Sequence, residues 1–163
     1  MSSKTILSSD EHTTLLMEAC LFRQDAYAVL VMLSHIFRSW DNVWDGDQPV
    51  TREILNDVLS DLAFELSHNA FWQQHEAVLQ AQIFIAWNAW MDANTWQQDG
   101  TTAQRYCAFF IRDYCNELVP LVAWLCGGKA HARTISLKVR ERYVAELMED
   151  THGLIFLDNK NRN

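Results

Sequence analysis

Apolar residues recur along this chain at intervals of three and four. That is the period of an α-helix with one buried face, and the interval of two that a half-buried strand requires is almost absent. The clearest run is 25–45. There Ala26, Val29, Leu30, Leu33, Ile36, Phe37, Trp40, Val43 and Trp44 form one stripe, with Ser34, Arg38, Asp41 and Asp45 beside it. A first helix is predicted over 10–22, with Asp10 as N-cap and Leu15, Leu16, Ala19 and Cys20 inward. Pro49 lies in a loop over 46–50 and blocks helix continuation. Thr51 then caps a third helix to about His68, with Ile54, Leu55, Val58, Leu62, Phe64 and Leu66 as its apolar contacts. A break near Asn69 precedes a fourth helix over 73–96, which carries Leu79, Ile83, Phe84, Trp87, Trp90 and Met91. Asp99-Gly100 is a turn signal. A fifth helix over 102–126 ends at Gly127-Gly128 and should kink or split at Pro120. A sixth spans 136–150, and the ends 1–9 and 158–163 are expected to fray. The pattern predicts an all-α fold, a single-domain bundle of about six helices over 1–163.

Composition narrows the function more than the fold. Hydrophobic residues make up 49% of 163, enough for one full core. Lys and Arg number 13 against 21 Asp and Glu, a net charge of −8. That balance argues against general duplex nucleic-acid binding, which needs a basic stripe. No apolar run reaches the roughly 18 residues of a membrane span, and the first ten residues lack the apolar core of a signal peptide. Cys20, Cys107, Cys115 and Cys126 show no zinc or C-x-x-C spacing and sit in apolar helical patterns. They read as reduced, buried thiols of a cytoplasmic protein. Seven Trp is a high count. Spacing turns Trp72, Trp87, Trp90, Trp96 and Trp124 mostly inward, more indole than a small domain readily covers. Trp87 and Trp90 need cover on a similar side, so an exposed patch there would mark a protein partner surface or a homodimer contact.

The acids are the candidate chemistry. Asp41 and Asp45 share a helix face, and the helix ends at Gly46 with Asp47 just beyond. Carboxylates at a helix C-terminus oppose the macrodipole at a cost of about 0.3–1 kcal/mol each. Two explanations stay open: a solvated helix end with Arg38 pairing to Asp41, or a Mg²⁺ site. An EF-hand fails, because Val43 and Arg52 stand where a ligand and a bidentate Glu are required. Glu146 and Asp150, with Glu149, repeat the arrangement near the end of the sixth helix. Asn88 with Asp92 and Asp113 with Glu117 are also spaced by four, and form either a partly buried polar cluster or a ligand contact. Arg105 and Arg112 are within helical reach of Asp113. The six histidines show no metal spacing; His35 reads as structural and His152 as a possible phosphate contact beside Asp150. No P-loop, G-x-G-x-x-G or G-x-S-x-G is present.

Three segments in order resemble the squalene and phytoene synthases of the class I isoprenoid synthase fold. Arg38, Asp41, Asn42 and Asp45 are similar to the first aspartate-rich motif, with Asn42 in place of its second acid. Gln104 to Phe110, continuing to Cys126-Gly127-Gly128, is similar to that family's Y-C helix, and Glu146 to Gly153 to its second aspartate-rich motif. The resemblance implies Mg²⁺ held by Asp41, Asp45, Glu146 and Asp150, with Arg38 assisting a phosphate. The chain is little more than half the family's usual length, and Leu154-Ile155-Phe156-Leu157 stands where the family carries an arginine-tyrosine segment. Trp40 to Val50 and Asn69 to His75 resemble small uncharacterised proteins of tailed phages, which would place the chain in a host cytoplasm.

Two functions from different classes follow. One is a non-enzymatic helical interaction protein, such as a phage accessory factor binding a host or phage protein through its acidic and aromatic surface. The other is a Mg²⁺-dependent diphosphate- or nucleotide-binding protein whose acidic helix ends face each other. Size, acidity and the degenerate motifs favour the first.

Overall fold

The computed structural model describes the backbone of residues 9–46 and 48–159 and the side chains of 11–46 and 48–142. Every regular element among them is helical: α1 (Ser9–Ala19), α2 (Gln24–Asp45), α3 (Arg52–Ser60), a π turn (Asp61–Glu65), α4 (Leu66–His68), α5 (Ala70–Asp99), α6 (Thr102–Arg112), a 3₁₀ turn (Tyr114–Glu117) and α7 (Leu118–Asn159). Because α3, the π turn and α4 run on without a break, the described residues form six rods, an all-α bundle as the apolar period predicts. No helix among them is long and apolar enough to cross a membrane. Asp10 lies inside α1, which Ser9 already opens, so it is not the N-cap expected of it; Asp47 and most of the ends expected to fray lie outside the described residues, and α7 stays helical to Asn159.

Local signals place most boundaries. Thr51 caps α3, its side chain accepting from the Ile54 N–H, and Asn69 caps α5 by accepting from the Trp72 N–H. Thr101 and Gln104 form a reciprocal capping box at α6. α2 ends at Gly46 in the left-handed conformation, with its N–H on the Asn42 carbonyl. α1 ends on two such residues, Leu21 (φ 49°) and Phe22 (φ 62°), costing roughly 1–2 kcal/mol each.

Two expectations need correcting. The fifth helix does not run to Cys126 with a kink at Pro120: it stops at Arg112, and the break falls in the 3₁₀ turn. Proline clashes with the carbonyl four residues back, here Asn116, so the interruption lies upstream and Pro120 sits harmlessly in the first turn of α7. Gly127-Gly128 does end a helical stretch, as expected: Gly128 (φ 75°, ψ −172°) breaks α7 in two. The next stretch, however, begins at once and runs over 129–159, well before the expected start at Ser136. Gly127 is required by close approach, since a Cβ there would lie 2.6 Å from the His131 ring. That ring donates from Nε2 to the Ala19 carbonyl at 3.1 Å and pins the kink to α1.

The third helix buries only one side. Val58 and Leu66 are inward, whereas Leu55, Leu62 and Phe64 stand exposed. Eight residues separate Val58 from Leu66, about 80° out of phase on a regular helix. The wide π turn takes up that offset and returns Leu66 to the Val58 face. His35 on α2 donates from Nδ1 to Asp61 in this turn at 3.1 Å, so it is a structural histidine. The main core joins Leu16 of α1 and Cys20 just after it, Ala26, Val29, Leu30 and Leu33 of α2, Phe71, Trp72 and Leu79 of α5, and Leu118 and Val122 of α7. A second, smaller core packs Leu15 and Ala19 against Ala123, Ile135 and Val139. All four cysteines are free thiols, but only Cys20 is fully buried and Cys107 is exposed. Burial pushes the Cys20 and Cys115 thiols up to about 12, which keeps them protonated.

Candidate functional site: the end of α2 and the cavity beside it

The acidic end of α2 is tied to two other parts of the chain. Asp41 and Asp45 do project from one face, and the group between them is Arg112, the last residue of α6. Its Nη2 donates to Asp41 Oδ1 at 3.2 Å and also to Asp45 Oδ2. Its Nη1 donates to Gln97 Oε1 at 3.0 Å. This fork replaces the pairing expected between Arg38 and Asp41. Asp41 Oδ1 also accepts from Trp90 Nε1 at 2.9 Å. Partial burial disfavours the Arg112 charge, yet Asp41 and Asp45 more than offset it and hold its pKa above the ordinary value. Arg112 thus brings a protein cation to the two carboxylates at this helix end.

The second acidic motif cannot be compared with the first, because the side chains of Glu146, Glu149, Asp150 and His152 lie outside the described residues. Among the described residues no group of three His, Cys, Asp or Glu is placed to hold a metal ion. The other spaced acids do not form one cluster. Asn88 and Asp92 face solvent on α5, while Glu117 accepts both of its contacts from Arg140 at 2.8 Å.

Around Trp90 the indoles gather. Trp90 is half-buried, 6.4 Å from Trp40 and 5.2 Å from Trp44 between ring centroids, both edge-on. Trp87 stands one turn away on α5, with Phe84 at 6.5 Å. Of these, Trp40 is 49% exposed, Trp44 48%, Trp87 43% and Phe84 63%. The two tryptophans expected at a partner surface are thus one exposed wall, Trp87, and one anchored pivot, Trp90, whose N–H is spent on Asp41.

A cavity of about 260 Å³ opens among α1, α2, α5 and the 3₁₀ turn. Leu30, Leu33 and Phe37 supply its floor, Trp40, Trp87 and Trp90 an aromatic wall, and Arg38 and Asn116 polar edges. His12 lines it from α1, with its Nδ1 accepting from Arg142 Nη1 at 2.8 Å. Burial first, then the charges of Arg142 and Arg38, lower the His12 pKa, so the ring is neutral with its proton on Nε2. Sequence reasoning missed His12, Asn116 and Arg142 here, since no local spacing links them to α2. It did single out Arg112, but not for its contacts with Asp41 and Asp45.

Compared with family models, curated proteins and solved structures, the chain returned no match, so its geometry has to be read on its own terms.

Proposed function

We propose that this chain is a non-enzymatic helical interaction protein, and that the aromatic face of Trp40, Trp44, Phe84 and Trp87 is its partner surface. The observation that carries this reading is the exposure of four large aromatic side chains around one anchored indole. Together they leave on the order of 400 Å² uncovered. The largest apolar patch on a soluble monomer is roughly 300–600 Å² and is often functional. Trp is also the residue type most enriched among binding hot spots. Arg112 supports the reading in a second way. By pairing Asp41 and Asp45 it ties the end of α2 to α6, beside the Trp40 and Trp44 rings that pack on Trp90. The surrounding acidity, net −8 over the chain, favours a partner with a basic rim around an apolar centre.

The test is light scattering on a concentration series of wild type and of the Trp44→Ala, Trp87→Ser double variant. It is paired with capture from a lysate of the source cells, using both forms as bait. A concentration-dependent dimer lost in the double variant identifies a second copy as the partner. A monomer that captures a protein which the folded variant does not identifies a different one. Wild type and variant behaving alike in both measurements would end the proposal.

A further inference from the structure

The cavity beside this face carries chemistry that a flat partner surface does not use, and the inference drawn from it does not rest on the partner reading. Among the described residues Arg38, at its mouth, makes no ion pair and no side-chain hydrogen bond. Behind it, Arg142 spends Nη1 on His12, and its Nε is buried with no partner among the described residues. Of the acids on the wall, Asp41 is matched by Arg112, and Asp113 is itself engaged. In a chain of net charge −8, this wall therefore holds a guanidinium with no counter-ion among the described residues, and a second one close behind on His12.

We propose that the cavity binds a small organic carboxylate with a flat apolar body. The carboxylate pairs with Arg38, and the body lies between the Trp87 side and the floor of Leu30 and Leu33. Three features select that class. The walls are mainly apolar and aromatic, which suits a ring system rather than a bare inorganic anion. Arg38 presents one planar fork at the mouth, the match for a single carboxylate. The volume, about 260 Å³, lies just below the usual range of ligand pockets and limits the body to one or two rings. A quaternary ammonium, which an indole wall can also hold, would meet Arg38 and Arg142 with like charge.

Calorimetric titration with 2-naphthoate, the neutral isostere 2-naphthamide and phenyltrimethylammonium tests this on wild type, Arg38→Gln and Trp44→Ala. Arg38 is exposed, so its replacement leaves the core intact. Wild type should prefer the acid to the amide by roughly tenfold, the low end for a charge-assisted contact. Arg38→Gln should lose that preference while amide binding changes less than about twofold. Trp44 is not part of the cavity wall, so Trp44→Ala should bind both as wild type does, even where it abolishes partner binding. Equal affinity for acid and amide would overturn the proposal. So would tighter binding of the ammonium, an acid preference that survives in Arg38→Gln, or no binding at about 5 mM, weaker than any useful site.

Discussion

The two halves of α5 are built from the same kinds of residue and meet opposite fates. Phe71, Trp72 and Leu79 in the first half are buried in the main core. Phe84, Ile85 and Trp87 in the second half are exposed. The difference lies in which face of the helix they occupy. The first half is packed by α2 and by the start of α7, and Asn69 ties its N-terminus to the Asp25 carbonyl. In the second half the buried stripe continues from Leu79 through Ala86 and Ala93, and Phe84, Ile85 and Trp87 lie off it. Aromatic content sets how much surface a helix can bury, and tertiary cover decides how much it does bury.

Substitutions on the two halves give the largest contrast. Leu79→Ala empties a fully buried site and should cost about 2–5 kcal/mol, whereas Trp87→Ala should cost under about 1 kcal/mol. Urea unfolding of both would settle it, and similar losses would mean that the second half is covered in solution. A smaller effect concerns the Arg112 fork that holds the exposed half against α2. A double-mutant cycle over Asp45→Ala and Arg112→Gln should give a favourable coupling of about 0.5–1 kcal/mol, discounted for partial exposure. A solvated helix end predicts the opposite for Asp45→Ala alone, a small gain in stability from removing an unfavourable charge.

The smallest effect lies at the border of the two halves, in His12. Its pKa is lowered in the folded protein by burial and by Arg142 and Arg38. The unfolded chain therefore binds more protons wherever the pH lies between the folded value and the ordinary 6.5. Stability should fall as pH drops through 6.5 and level off once the folded-state histidine also titrates. Melts from pH 7.5 to 5 on wild type and His12→Gln would check this. A slope that is the same in both would assign it to other groups.

What could be read from the sequence follows from how far each interaction reaches. The α2 stripe, the Thr51 cap and the breaks at Gly46, Asn69 and Gly100 depend on neighbours within one or two turns, and each lies within two or three residues of its expected place. Pro120 correctly signalled an interruption, but the clash acts on a carbonyl one turn back and moved it upstream. Arg112 meets Asp45 across 67 positions, and no periodicity encodes that contact. The exposed Leu55, Leu62 and Phe64 and the exposed Cys107 share one cause: their helices are apolar on more than one face, and the pattern does not say which face loses.

The π turn between Ser60 and Leu66 carries one residue more than an unbroken α-helix would need to align its inward positions. Removing one exposed member, such as Ala63, would leave Val58 and Leu66 seven apart, about 20° from alignment on a regular helix. The frame of the bundle would survive a loss that elsewhere in a helix turns every following side chain by about 100°. This short stretch is thus where the chain could shorten by one residue without rebuilding the core.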